Sequence, residues 1–355
     1  MITRRETGGQ GNDAFLLGAG FSHSVSEVMP LTNALGLEIA SRLTRQGHNT
    51  TLLQGLYRNN FEAWLTQLAE GRPWASEADN LRDRAMFLDA SSQVAEIIRM
   101  AQRQSGPRAK WLDRLVTFWH QNQSVVLTLN YDTLVEQAVQ DLHLKDHGEL
   151  VHYTSAYAIP VTSANLRRAG VWGADPDIET LRLLKLHGSI NWYYSGSDSP
   201  HGETVYEGGL TYGWDAEYTH VVGDRGLDLL VDKVPFVVPP TGTKSSFFNN
   251  ETIRAQWSVA SEFLRPCQLV VMGYSLPEAD HLMRLFLDQT VAGNITLVNC
   301  DPDIGAHFRR LLPRSRIVDE PWVGTPDAIE RFVSALTVRP FADDLADLEL
   351  DDSGA

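Results

Sequence analysis

The side chains in this sequence that could do chemistry collect at the ends of short apolar runs. Gly18-Ala19-Gly20-Phe21-Ser22 follows the run at 14–17. Glycines at a strand-to-helix turn let the backbone approach a pyrophosphate while amide groups donate to it, although such glycines also serve ordinary tight turns. A dehydrogenase fingerprint would need a third glycine where His23 stands and an acid at the end of a second strand. Glu38, the only acid at the right distance, falls within a predicted helix, which disfavours hydride transfer but not dinucleotide binding. Asn130-Tyr131-Asp132-Thr133 follows the run at 124–129, at the carboxyl end of a predicted strand. Open α/β sheets place ligand groups there, and Asp132 can equally cap the helix that follows. His187-Gly188-Ser189 ends the run LRLLKL. A histidine in that position is a candidate base, with an ordinary pKa of about 6.5, or else a structural histidine.

Gly273-Tyr274-Ser275-Leu276-Pro277 and Asn299-Cys300-Asp301-Pro302 end two further apolar runs. So many strands closing on small or polar residues imply a single cleft along one sheet edge. Gly242-Thr243-Lys244-Ser245, by contrast, lacks the adjacent Gly-Lys pair of a phosphate-binding P-loop.

The elements that must position these motifs follow from periodicity. Strands are predicted at 14–18, 124–129, 183–186, 268–272, 294–298 and 316–318. Helices are predicted at 133–142, 252–264, 277–291 and 302–312, and from the spacing of Leu31, Leu35, Ile39 and Leu43. Alternating strands and helices imply an α/β fold, a Rossmann-like, doubly wound parallel sheet. Residues 31–121 read as an inserted, mostly helical lobe. Its stripes are Phe61, Trp64, Leu65 and Leu68; Leu81, Ala85 and Leu88; and Trp111, Leu115, Phe118 and Trp119, each expected to face the core. Residues 189–240 break the rhythm and read as an irregular or β-hairpin insertion. The whole unit spans 13–340 and is followed by an acidic tail at 342–355.

The chain has 355 residues, 43% hydrophobic and 21% charged, which suits one large α/β domain with an inserted lobe, or two to three units. Its formal net charge of −15 argues against binding to a phosphate backbone, so no direct nucleic-acid partner is expected. Two distant cysteines, Cys267 and Cys300, cannot build a four-cysteine zinc site or a disulfide scaffold. The polar start and the absence of a long apolar run predict no signal peptide, no membrane span and a cytoplasmic location.

The order of these motifs resembles the sirtuin family across roughly 13–321. GAGFS looks like its glycine-rich NAD loop, LTLNYD its Asn-x-Asp motif, KLHGSINW its His-Gly motif, GYSLP its Gly-x-Ser loop and LVNCDP its adenosine-side Val-Asn. The resemblance implies NAD as substrate, with Asn130 and His187 catalytic and Asp132 lining the nicotinamide and ribose side. It implies cofactor contacts from Gly18, Ala19, Gly20, Phe21, Ser22, Gly273, Ser275 and Asn299.

Two departures qualify the resemblance. Deacylating sirtuins carry four zinc-binding cysteines after the His-Gly motif, and 189–240 contains none. Glu27-Val28-Met29-Pro30 also replaces their Gly-Ile-Pro-x-Phe-Arg run. The chain is thereby similar to the bacterial zinc-free branch of anti-phage systems, which implies NAD hydrolysis to nicotinamide and ADP-ribose with no metal. That branch further implies a homo-oligomer gated in trans, by a HerA-type ATPase or a prokaryotic Argonaute. A non-catalytic NAD or ADP-ribose sensor, and a protein deacylase or ADP-ribosyltransferase, are the alternatives.

Overall fold

A computed structural model describes residues 13–163, 178–196, 203–210, 232–242, 244 and 247–337. The acidic tail at 342–355 and the remaining parts of 189–240 lie outside the described residues. Six short strands build the main sheet: β1 (Ala14–Leu17), β2 (Val125–Thr128), β3 (Arg182–Lys185), β4 (Leu269–Met272), β5 (Asn294–Val298) and β6 (Arg316–Val318). Their spatial order is β6-β5-β4-β1-β2-β3, and every neighbouring pair is parallel. This is the doubly wound, parallel sheet expected from periodicity. It reverses direction between β1 and β4, where diverging connections leave a crevice at the carboxyl ends of the strands.

The strands are nearly continuous apolar runs because both faces are covered. Phe15, Leu17, Val126, Leu183, Val270 and Met272 join one core, shared with α6 (Lys110–Gln121), α7 (Leu134–Asp141) and α11 (Ala328–Thr337). The alternate residues, Ala14, Leu16, Val125, Leu127, Leu184, Leu269 and Val271, join a second core. There they meet Leu264 of α8 (Glu251–Leu264), Leu287 of α9 (His281–Thr290) and Phe308 of α10 (Ile304–Leu311).

Between β1 and β2 the chain forms α1 (Ala19–Val25), α2 (Thr32–Arg45), α3 (Thr51–Gln54), α4 (Phe61–Ala69) and α5 (Glu77–Gln104), and then α6. Asn60 and Ser76 cap α4 and α5 by accepting from the amides of Ala63 and Asp79. One expectation fails here. Leu81, Ala85 and Leu88 have helical spacing but lie on the exposed side of α5, Leu81 at 63% exposure; the helix buries Phe87, Ala90, Val94 and Ile98 instead. Spacing fixes the period of a helix but not its phase when apolar residues stand on two faces.

Gly188–Tyr194, Tyr206–Glu207 and Val234–Val237 belong to a second, four-stranded sheet, in which the first pairs antiparallel with the other two. Arg99 of α5 ties the helices to this sheet by donating to the Tyr193 hydroxyl at 2.9 Å and to the Ile190 carbonyl.

β3 carries a lysine with no exposed surface. The Lys185 ammonium donates to the Glu136 carboxylate at 2.7 Å and to the Asp132 carbonyl at 2.6 Å. Glu136 takes a further hydrogen bond from the Tyr157 hydroxyl at 3.2 Å. The pair fixes the start of α7 against β3. Removing one partner strands a buried charge, whereas removing both leaves an apolar contact. Lys185→Met is therefore expected to cost about 3–5 kcal/mol, and Lys185→Met with Glu136→Leu to recover most of that loss, measured by denaturant unfolding of both variants.

Candidate functional site

The crevice begins where the turns after β1 and β4 touch. The Gly18 amide donates to the Met272 carbonyl at 3.0 Å and the Gly20 amide to the Gly273 carbonyl at 2.8 Å. A Cβ on Gly18 would sit 2.6 Å from the Tyr274 backbone, and one on Gly273, whose φ is +64°, would sit 2.2 Å from the Phe21 nitrogen. The glycines of both motifs are thus demanded by backbone-to-backbone approach. The amides of Gly18, Gly20 and Phe21 are engaged within the protein, Phe21 donating to the Gly18 carbonyl at 2.9 Å. The Phe21 ring lies in the core against Trp111. Ala19 and Gly20 keep partly exposed backbone at the mouth of the crevice.

On the β2 side, Asn130 is held by three hydrogen bonds. Its amide nitrogen meets the Thr128 hydroxyl at 3.0 Å, and its side-chain Nδ2 donates to the Gly18 carbonyl and to Ser22 Oγ, both at 2.8 Å. A carbonyl can only accept, so the Gly18 contact fixes which end of the amide points where. Asn130 Oδ1 is left as an acceptor without a partner among the described residues. The Ser22 hydroxyl donates to Asp132 Oδ2 at 2.6 Å, and Asp132 Oδ1 accepts from the Leu134 amide at 3.2 Å. Asp132 therefore both holds the first amide of α7, whose N-cap is Thr133, and anchors the Ser22–Asn130 relay.

His187 follows β3 and is buried, at 6% exposure. Its Nε2 is buried with no partner among the described residues. A neutral imidazole carries one N–H and one lone pair, so Nε2 offers a substrate group a single donor or acceptor according to the tautomer. Burial, and then the Lys244 ammonium, push the ring down to about 3, against a smaller opposing effect of Asp280. His187 is neutral at cellular pH. Gly188 must be glycine: its φ is +77° and a Cβ would lie 2.1 Å from the Phe236 carbonyl oxygen.

Residues 238–242 and Lys244 border this region. Val238 takes the Tyr131 hydroxyl on its carbonyl at 2.7 Å and gives its amide to the His187 carbonyl at 2.9 Å. Farther on, the Gly242 amide donates to Thr66 Oγ1 at 2.8 Å, and Lys244 pairs with Asp280 at 2.9 Å. Asp280 also accepts from the Tyr274 hydroxyl at 2.9 Å and caps α9. Burial alone would raise Asp280; Lys244, His187 and the Tyr274 hydroxyl outweigh it and hold the carboxyl below its ordinary value. Glu62, on the first turn of α4, is buried beside this pair, and burial pushes its carboxyl up to about 7.

Of the other residues read from the motifs, Asn299 ends β5 and donates to the Tyr274 carbonyl at 3.3 Å, while Ser275 is exposed on the β4 turn. Sequence reasoning passed over Glu62, Lys185, Lys244 and Asp280. Their signal was faint: a lysine inside an apolar strand, and an acid inside an aromatic stripe. Elsewhere, Asp146, His147 and Glu179 place ligand-type atoms within 4.8 Å of one another, but Asp146 is already used to hold the Glu179 amide.

No protein-family model and no curated protein matches the chain. Among solved structures, it is similar to a Sir2 homologue in complex with ADP-ribose, at 15% identity and a TM-score of 0.41 over 93% of this chain and 96% of that one. It is similar to a Sir2 homologue–NAD complex at 15% identity and a TM-score of 0.40, over 92% and 91%. A Sir2 bound to an acetylated peptide follows at 13% identity and 0.35, over 92% and 91%. Likeness at this level decides nothing about the chemistry of the chain.

The glycine contact gives a stability test. Gly148 has a φ of +91° with nothing within 4 Å of a built Cβ, so an alanine there meets only the left-handed backbone penalty. Gly148→Ala is expected to cost about 1–2 kcal/mol and Gly273→Ala at least about 2 kcal/mol more, compared by chemical denaturation.

Proposed function

We propose that this chain cleaves NAD to nicotinamide and ADP-ribose, with water as the acceptor. What carries the reading is the pairing, at the carboxyl ends of adjacent strands, of an immobilised Asn130 amide and a neutral His187 whose Nε2 has no partner. A buried polar atom without a protein partner, standing at a sheet's ligand edge, offers a place for a substrate group. In the NAD reading the dinucleotide lies across the β1–β4 crevice, and Ser22, Asn299, Ser275 and the partly exposed Ala19 offer its polar contacts, while Gly20, whose amide and carbonyl are taken by Gly273 and Ser24, lines it. Gly18, Phe21 and Gly273 shape the crevice through their backbone.

Cleavage breaks the bond between the ribose anomeric carbon and the nicotinamide nitrogen, and nicotinamide leaves with the electron pair. The ring passes through an oxocarbenium-like transition state, as in glycoside cleavage. Asn130 Oδ1 accepts from the attacking water and sets its direction, and its amide stays fixed because Nδ2 is spent on Gly18 and Ser22. His187 Nε2 accepts from a ribose hydroxyl. Water's oxygen bonds to the anomeric carbon and one proton is released.

The sequence, with two cysteines, lacks the zinc module of the deacylating sirtuins, which favours water over an acyl-lysine acceptor. The homo-oligomer and the defence partner rest on the resemblance alone. The exposed apolar side chains Trp74, Leu81 and Leu88 are where self-association is to be sought.

Purified protein incubated with NAD is expected to release nicotinamide, followed by chromatography. Asn130→Ala and His187→Ala are each expected to lower turnover by about 100- to 10,000-fold with the melting temperature preserved. Undiminished turnover in a folded His187→Ala protein would remove that residue from the mechanism.

A further inference from the structure

The hydrolysis proposed above asks His187 to present one ring nitrogen to a ribose hydroxyl in a fixed direction. The residue stands just past the end of β3, and the chain then turns through Gly188 at a φ of +77°. A side chain at such a junction inherits whatever freedom its backbone keeps. Misplacing a reacting group by about 1 Å can cost about 100-fold in rate, so the orientation of the imidazole needs a physical cause.

The peptide groups on both sides of His187 are held by donors from two different segments. The Leu186 carbonyl accepts from the indole Nε1 of Trp257 at 3.0 Å, and the His187 carbonyl accepts from the Val238 amide at 2.9 Å. Trp257, partly buried, belongs to α8. The same indole flanks the imidazole, with ring centroids 6.2 Å apart and planes inclined by 38°. One side chain thus holds the backbone before His187 and one side of its ring.

The indole is itself fixed. Phe248 meets it edge-on at 5.5 Å and Phe286 of α9 does so at 5.0 Å, the arrangement that aromatic rings favour. Beside it on α8, Gln256 accepts from the Lys185 amide at 3.2 Å, so the helix grips the chain at two successive residues before His187.

We propose that Trp257 is a positioning residue of this site: it sets the direction of the His187 imidazole through the Leu186 carbonyl and the ring contact, and does not itself touch the substrate. The assignment rests on the NAD-cleaving reading and deepens it by naming what keeps His187 rigid. Phenylalanine at 257 keeps an aromatic ring and loses the N–H donor; leucine loses both. If Trp257 only filled space between Phe248 and Phe286, turnover would follow stability. As a positioning residue, it acts through His187 alone.

Nicotinamide release by the full chain, resolved into kcat and KM, is measured with ADP-ribose binding and melting temperature for wild type, Trp257→Phe, Trp257→Leu and Leu264→Val. Leu264, a core residue at the end of α8, is the control: its variant is expected to melt lower with kcat unchanged. Trp257→Phe is expected to lose about 3- to 10-fold in kcat at a melting temperature near wild type, and Trp257→Leu about 100-fold. KM and ADP-ribose affinity are expected to stay within about threefold of wild type in both. Placed in a His187→Ala chain, Trp257→Leu is expected to change the residual turnover by less than about threefold, because nothing is left for it to orient. Trp257→Phe with wild-type kcat would overturn the assignment and leave the NAD reading standing. So would a loss that resides in KM and ADP-ribose binding, or one that persists in full without His187. A wild-type chain that releases no nicotinamide would overturn the functional reading, and this assignment with it.

Discussion

The site depends on one close backbone contact, the Gly20 amide on the Gly273 carbonyl, made where the sheet reverses direction. Side chains at Gly18 or Gly273 would separate the two turns. With them in contact, Gly18 presents its carbonyl and α1 presents Ser22 to the same Asn130 amide. Ser22 is locked to Asp132, Asp132 to α7, and its carbonyl to Lys185 and thence Glu136. A continuous set of hydrogen bonds thus runs from the β1 turn to the interior of β3, and within it Asn130 Oδ1 is an acceptor without a partner among the described residues.

Electrostatics then separates structural charges from chemical ones. Lys185–Glu136 and Lys244–Asp280 are buried pairs with short contacts and further hydrogen bonds, the condition under which buried charge is tolerated. Glu62 and His187 are buried without such partners and are shifted toward neutrality in opposite senses, the acid upward and the imidazole downward. Titratable groups whose surroundings push them apart are the usual mark of divided acid–base roles.

The main sheet was legible because its strands are short apolar runs, each ending on a polar motif, and β5 and β6 coincide with the sequence reading. Less legible were features set by distant partners. α9 begins at His281 and not at Pro277, because Leu276 takes a left-handed φ of +49° and Asp280, engaged by Lys244 and Tyr274, becomes the cap. Lys244 looked inert in a failed P-loop, and only the fold brings it to Asp280 and Glu62. Lys185 sat in a run that reads as apolar, with nothing local to announce Glu136. The turn glycines were found for a partly different reason than their geometry gives, since several of their amides bond to protein.

Isotope incorporation tests the central claim most directly. NAD turned over by the chain in water enriched in oxygen-18 is expected to yield ADP-ribose carrying one heavy oxygen at the anomeric position and an equal amount of nicotinamide, unchanged by an added acyl-lysine peptide. Nicotinamide released without label in ADP-ribose, or released only when the peptide is present and with the acyl group transferred, would contradict water as the acceptor.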